Sequence, residues 1–163
     1  MSDLEGINTG DFPLHVIAIG LYDRPGASHS VADVFSGRGL QMEAFHSTAD
    51  KLNPDGHASA LILFHASADR ASLVTRVLRR LSCVRSAELI SAEDPRLIQS
   101  VLIAHPVSLP PEGISIAPIN RNAAMAAGSP AVMQAWITSG TAPQRLGAVR
   151  HDLLESRHDA NGT

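Results

Sequence analysis

Cysteine, aromatic residues, positive charge and long hydrophobic runs are all scarce in this sequence, and each shortage excludes something. The single cysteine, Cys83, rules out an internal disulfide and suits a reducing, cytoplasmic setting. Aromatic residues make up 4%, so any core is built from Leu, Ile, Val and Ala. The formal net charge of −3 argues against nucleic acid, whose binders carry a basic excess. No apolar run approaches the about 20 residues of a membrane helix, so no membrane partner is expected. Met1 to Pro13 lacks a basic segment followed by an apolar one, so 1–13 reads as a flexible leader rather than a signal peptide. No glycine-rich phosphate loop follows a strand, and no carboxylate pair has an acid–base arrangement. Chemistry is not expected of this chain.

What is present suffices for a core: 163 residues, 44% hydrophobic and 18% charged, make one ordinary domain or two small ones. The organising stretch is His15 to Ser28. Val16 to Tyr22 reads as a buried strand that runs into Asp23-Arg24-Pro25-Gly26, and a helical pattern starts at once. Such a turn leaves backbone N–H groups free at the positive end of a helix, where an anion is favoured. Pro25 suits a first helical turn, and Gly26 allows close approach. A carboxylate beside the amides and an ammonium beside Asp23 would match the two ends of a free α-amino acid. The plainer alternative makes Asp23 an N-cap or turn former.

Ala27, Val31, Val34 and Phe35 form one helical face, and Gly37-Arg38-Gly39 ends it, Gly39 being placed for a left-handed cap. Leu40 to Thr48 alternates, with Leu40, Met42 and Ala44 on one face and Gln41, Glu43 and Phe45 on the other. A turn-rich segment, Asp50 to Gly56, leads to a second strand, His57 to Ala66. Asp69 is the expected cap of a helix with the stripe Leu73, Val74, Val77, Leu78 and Leu81, and Val84 to Ser91 closes the set. Strand, helix, strand, strand, helix, strand is the order of a ferredoxin-like α/β (α+β) sandwich, with both helices on one face. The first strand is apolar on both sides, so a second cover is expected, a partner subunit being the economical one.

Other constellations read more simply. His46, His57 and His65 could approach one another across the hairpin as metal ligands, but no pair has a helical metal spacing, and no metal is expected. Cys83 reads as a buried structural thiol. Ser28 and His29 diverge on a helix and make no dyad. Arg76, Arg79 and Arg80 make either a solvated face or a dock for an acidic partner.

Residues 14–92 resemble an ACT domain, a small-molecule regulatory module of amino-acid metabolism. The matching pieces are Asp23-Arg24-Pro25-Gly26, Val34-Phe35, Arg38-Gly39-Leu40 and Val84-Arg85-Ser86-Ala87-Glu88-Leu89. Val34 to Glu43 more narrowly resembles the small, regulatory subunit of acetolactate (acetohydroxyacid) synthase. The resemblance implies a homodimer through the ACT domain. It implies an effector site of Asp23, Arg24, Pro25, Gly26, Ala27 and Ser28 from one chain with Gln41 and Met42 from its neighbour. It further implies feedback control, by a branched-chain amino acid, of a catalytic large subunit that alone carries thiamine diphosphate and Mg. The valine-binding pattern has Asn where Asp23 and Gln41 stand, so a stand-alone sensor of another amino acid, or a dimerisation module binding none, is the alternative.

The remaining sequence departs from that pattern. Leu97 to Ala104 and Ile114 to Ile119 read as strands. Asn122 to Ala127 (capped by Asn120 or Asn122) and Pro130 to Thr138 read as helices. Pro110-Pro111 disfavours a first crossover helix. Residues 93–155 are expected to form a reduced or rearranged second α/β region, and 156–163 a disordered tail.

Overall fold

Alternating aliphatic residues make Leu14–Tyr22 the central strand β1. α1 (Ala27–Ser36), β2 (Met42–Ala49), β3 (His57–His65), α2 (Ala68–Leu78) and β4 (Val84–Ser91) follow. The computed structural model describes residues 12–49, 56–105, 107 and 109–154. The chain divides into two compact units, Met1–Ala92 and Glu93–Thr163. In the first, all neighbouring strands are antiparallel in the order β2-β3-β1-β4, which is the ferredoxin-like arrangement expected. Ile17, Ile19 and Leu21 face the helices together with Ile62 and Phe64, and Ala27, Val31, Val34 and Phe35 pack on them. The Phe35 ring meets Phe64 edge-on, centroids 5.1 Å apart. On the other side of the sheet Val16, Leu61, Leu63 and Ile90 are buried as well.

α1 ends as its sequence indicates. Gly39 is left-handed at φ 59°, with Leu40 N–H donating to Phe35 O and Gly39 N–H to Ser36 O, the paired bonds of a Schellman closure. Three local expectations need correction. In β2 a bulge between Met42 and Ala44 breaks the alternation. Met42 and Phe45 therefore both pack on the core. The cap of α2 is Ser67, whose hydroxyl accepts from Arg70 N–H, and Asp69 sits in the first turn. The buried stripe of α2 is Ala71, Val74, Thr75 and Leu78, while Leu73 is exposed. Of the expected leader, residues 1–11 lie outside the described residues, as do 50–55 of the turn and the tail beyond 155; Phe12 and Pro13 accept at their carbonyls from the His65 ring and from Ala66 N–H.

The second unit comprises β5 (Leu97–Ala104), β6 (Ile114–Pro118), β7 (Ala123–Gly128), α3 (Pro130–Thr138) and β8 (Arg150–Leu153). Its sheet order, β6-β7-β5-β8, repeats that of the first unit, with one helix fewer among the described residues. The connection from β5 to β6 carries Pro110-Pro111, and among its described residues there is no helix. Ala123–Gly128 is a strand, not the helix its alanines suggest. The bulky Met133 and Trp136 of α3 lie over Ala124 and Ala126, and only small side chains fit beneath them. Asn120 does cap, but it caps a hairpin turn: its Oδ1 accepts from the N–H groups of Asn122 and Ala123 at 2.8 and 2.9 Å.

Candidate functional site

The loop between β1 and α1 is held from outside by three backbone and side-chain contacts. Tyr22 N–H donates to Cys83 O at 3.0 Å, and Asp23 N–H to Gly56 O at 2.6 Å. Arg24 Nη2 donates to Ser82 Oγ at 3.0 Å, its guanidinium 6.0 Å from the Tyr22 ring centre. Buried Cys83 adds an Sγ contact of 3.9 Å to Ala27 O. Gly56, Ser82 and Cys83 thus shape the loop without any motif announcing it; only the pairing of β3 and β4 with β1 brings them there.

The N-cap of α1 is Gly26, at φ 84° and ψ −5°, and no side chain caps the helix. Its first turn holds no acidic residue. A Cβ at Gly26 would meet nothing within 4 Å, so open space lies beside the helix N-terminus. Asp23 is exposed, and among the described residues no hydrogen bond or ion pair engages its carboxylate. The plainer reading of Asp23 as the cap therefore does not hold. Arg24, Pro25 and Ser28 are exposed too, whereas the Ala27 methyl is buried in the core and leaves only its backbone to a ligand.

Gln41 and Met42 are not near this loop within one chain. Met42 pairs with Phe64 and Phe64 with His15, at the start of β1; Tyr22, at its end, pairs with His57. At about 3.3 Å per residue, His15 to Tyr22 spans roughly 23 Å. Gln41 is exposed there, and Met42 half-buried. A single copy therefore holds the two groups of site residues at opposite ends of its sheet.

The three histidines are likewise spread along the hairpin. His57 and His65 lie at opposite ends of β3, and His46 pairs with Leu61 between them. His65 is engaged locally, with Nε2 3.0 Å from Glu43 Oε1 and Nδ1 2.6 Å from Phe12 O. Among the described residues no group of three His, Cys, Asp or Glu is placed to hold a metal. No helix among them is long and apolar enough to cross a membrane. His29 pairs with Asp33 at 3.3 Å on the exposed side of α1, away from Ser28.

No protein-family model matches the sequence, and no curated protein matches it. Similarity to solved structures is extensive. The small subunit of acetolactate synthase from Thermotoga maritima is 14% identical, with a TM-score of 0.59 over 88% of this chain and 98% of that one. The regulatory subunit of aspartate kinase from Thermus flavus is 17% identical, with a TM-score of 0.44 over 80% and 94%. The ACT domain of a GTP pyrophosphokinase from Chlorobium tepidum is 20% identical, with a TM-score of 0.41 over 48% and 85%. The likeness to the Thermotoga maritima subunit extends over both units, and in fold this chain resembles the acetolactate synthase small subunit.

Proposed function

We propose that the chain is a regulatory, non-catalytic subunit that binds a free amino acid between two copies of itself. The observation that carries this reading is the separation of the two half-sites. Asp23 to Ser28 and Gln41-Met42 sit at opposite ends of one sheet, and β2 is an edge strand with one side unpaired in the described sheet. Antiparallel pairing of β2 with β2 of a second copy about a two-fold axis sets Gln41-Met42 of one copy at the same end as the loop of the other. The effector carboxylate then lies at the uncapped N-terminus of α1, beside Gly26, and its ammonium at Asp23. Gln41 and Met42 of the second copy close the pocket over the side chain.

By analogy with the synthase small subunit, the partner is a catalytic chain that carries thiamine diphosphate and Mg, and the effector is a branched-chain amino acid. The residues present fit an amino acid at the loop; the catalytic cofactor belongs to the partner. Regulation follows from differential binding: the effector biases the dimer only by its difference in affinity for two arrangements, and the partner responds to that bias. A second reading, a stand-alone sensor of a different amino acid, is favoured by Asp23 and Gln41. Asp accepts but does not donate when ionised, and Gln is one methylene longer than Asn.

Thermal unfolding with each amino acid at saturating concentration separates these readings. A ligand at about a hundred times its Kd adds about 2.7 kcal/mol. Stabilisation by valine, leucine or isoleucine supports the synthase-type site, and another responder supports the second reading. Gly26→Asp sets a negative charge among the loop amides and is expected to abolish the response. Gly26→Ala carries the same left-handed strain, about 1–2 kcal/mol, and retains it. Full response in Gly26→Asp removes the loop from the site.

A further inference from the structure

One end of the first unit gathers basic side chains beside an exposed leucine. α1 ends there, and β2 and α2 begin there, because Met42 pairs with Phe64 and His65 with Leu14. Between the two helices lies a recess of about 190 Å³ lined by Arg38, Leu40, Arg70, Leu73 and Val74. Arg70 Nη2 donates to Arg38 O at 2.6 Å, and Arg38 Nη1 to Val34 O at 3.3 Å. These partners are neutral carbonyls, and among the described residues neither arginine makes an ion pair. The carboxylates nearby are otherwise placed. Asp33 is engaged by His29 and Glu43 by His65, and Asp69, in the first turn of α2, pairs with neither arginine. Leu73 is 43% exposed on the same surface. Two uncompensated guanidinium groups around an apolar recess suit an acidic chain that carries an aliphatic side chain.

The chain itself enters at this end. Phe12 O accepts from His65 Nδ1 at 2.6 Å and Pro13 O from Ala66 N–H at 3.3 Å, which moors the chain immediately before α2. Ala66 and Arg70 are four residues apart, so at most about 14 Å separates them. Upstream of Phe12 stand residues 1–11, which carry Asp3, Glu5 and Asp11, no Lys or Arg, and the aliphatic residues Leu4 and Ile7. At about 3.3 Å per extended residue, Ile7 can lie up to roughly 17 Å from Phe12, which spans the distance to the recess. Exposed ion pairs are individually weak, but a tethered segment meets the surface at high effective concentration. A second copy suits this surface less, since a two-fold contact here would set arginine against arginine.

We infer that residues 1–11 fold back as an acidic strap over the recess between Arg38 and Arg70, with Ile7 beside Leu73. The strap competes with any acidic surface that approaches α2, and it holds the segment leading into Gln41-Met42. Nothing in this placement depends on the amino-acid site. The test attaches a nitroxide spin label to the full chain through Asn8→Cys and reads the backbone amide signals by NMR. The native chain taken through the same labelling controls for Cys83, which is buried. The expected result is loss of signal at Arg38 to Leu40 and at Arg70 to Leu73, with none at Ala27 to Ser30, the far end of α1. Asp3→Asn combined with Glu5→Gln, both upstream of β1, restores the signal. So does about 1 M salt, where charges are screened beyond about 3 Å. Arg70→Glu acts in the same direction, and circular dichroism checks that this variant folds. Loss confined to the residues beside Phe12, or loss that survives the charge changes on both sides, overturns the inference. Absence of any loss also overturns it and leaves the surface to an acidic segment of another protein. So does signal loss passed to an isotope-labelled native chain mixed with the spin-labelled one, which makes a second copy's leader the occupant.

Discussion

In the first unit β1 turns through Asp23 to Gly26 into α1, which packs on its sheet; in the second, β5 runs into a proline-containing connection and no helix forms among its described residues. The sheets are otherwise laid out alike, β2-β3-β1-β4 and β6-β7-β5-β8. Among the described residues, the helix that starts without a side-chain cap is α1 of the first unit, whereas Ser129 caps α3 of the second, which makes the first unit the candidate sensor.

The largest effect should come from removing what the second unit lacks. Phe35 is fully buried and anchors α1 edge-on to Phe64. Phe35→Ala is expected to cost about 3–5 kcal/mol. Trp136 emission follows the second unit, while far-UV circular dichroism sees both. A CD transition that moves while the Trp136 transition stays treats the units as separately stable. Joint movement shows one cooperative structure and breaks the comparison.

Most of the first unit was legible because its signals agree across levels. The spacing of Ala27, Val31, Val34 and Phe35 gave a helix with those four residues buried, and Gly39 its stop. Tertiary packing overrode local preference in the remaining places. The bulge beside Glu43 moved Phe45 to the core face, a shift that no two-residue alternation reveals. Asn122 to Ala127 reads as helix by propensity, but Ala123–Gly128 is a strand whose alanines pack beneath Met133 and Trp136. The candidate site was legible as a loop. Its division between two ends of the sheet appears only once β1, β2 and β3 are paired.

A smaller effect tests how tightly each sheet is closed. A methyl at Gly128 would lie 2.7 Å from the Gly113 carbonyl oxygen, which is backbone and cannot rotate away. Gly128→Ala is expected to cost about 1–3 kcal/mol, read from the Trp136 transition in denaturant. A methyl at Gly20 would meet Ser86 Oγ at 2.6 Å and Arg85 Nη2 at 3.1 Å, side-chain ends that can turn aside. Gly20→Ala should therefore cost less than about 1 kcal/mol. The reverse ranking would mean that the second sheet, despite its missing helix, is the more compliant of the two.

The smallest effect concerns how the chain enters each sheet. His65 holds the Phe12 carbonyl just before β1. Before β5, Arg96 binds the Asp94 carboxylate with both arms, at 3.0 Å through Nε and 2.9 Å through Nη2, and its own N–H donates to Asp94 Oδ1 at 2.9 Å. The Arg96 side-chain bonds foremost, then its backbone N–H, hold the Asp94 pKa below the usual 3.8. A carboxylate whose folded pKa is depressed stabilises the fold above the unfolded value, and the contribution fades as pH falls through the folded one. Asp94→Asn should lower the Trp136 transition slightly at neutral pH, and the difference should vanish in acid as the native carboxylate is protonated. High salt should shrink it at neutral pH, since the pair is partly exposed. A difference that persists unchanged into acid would assign the effect to the geometry of the turn before β5 rather than to its charge.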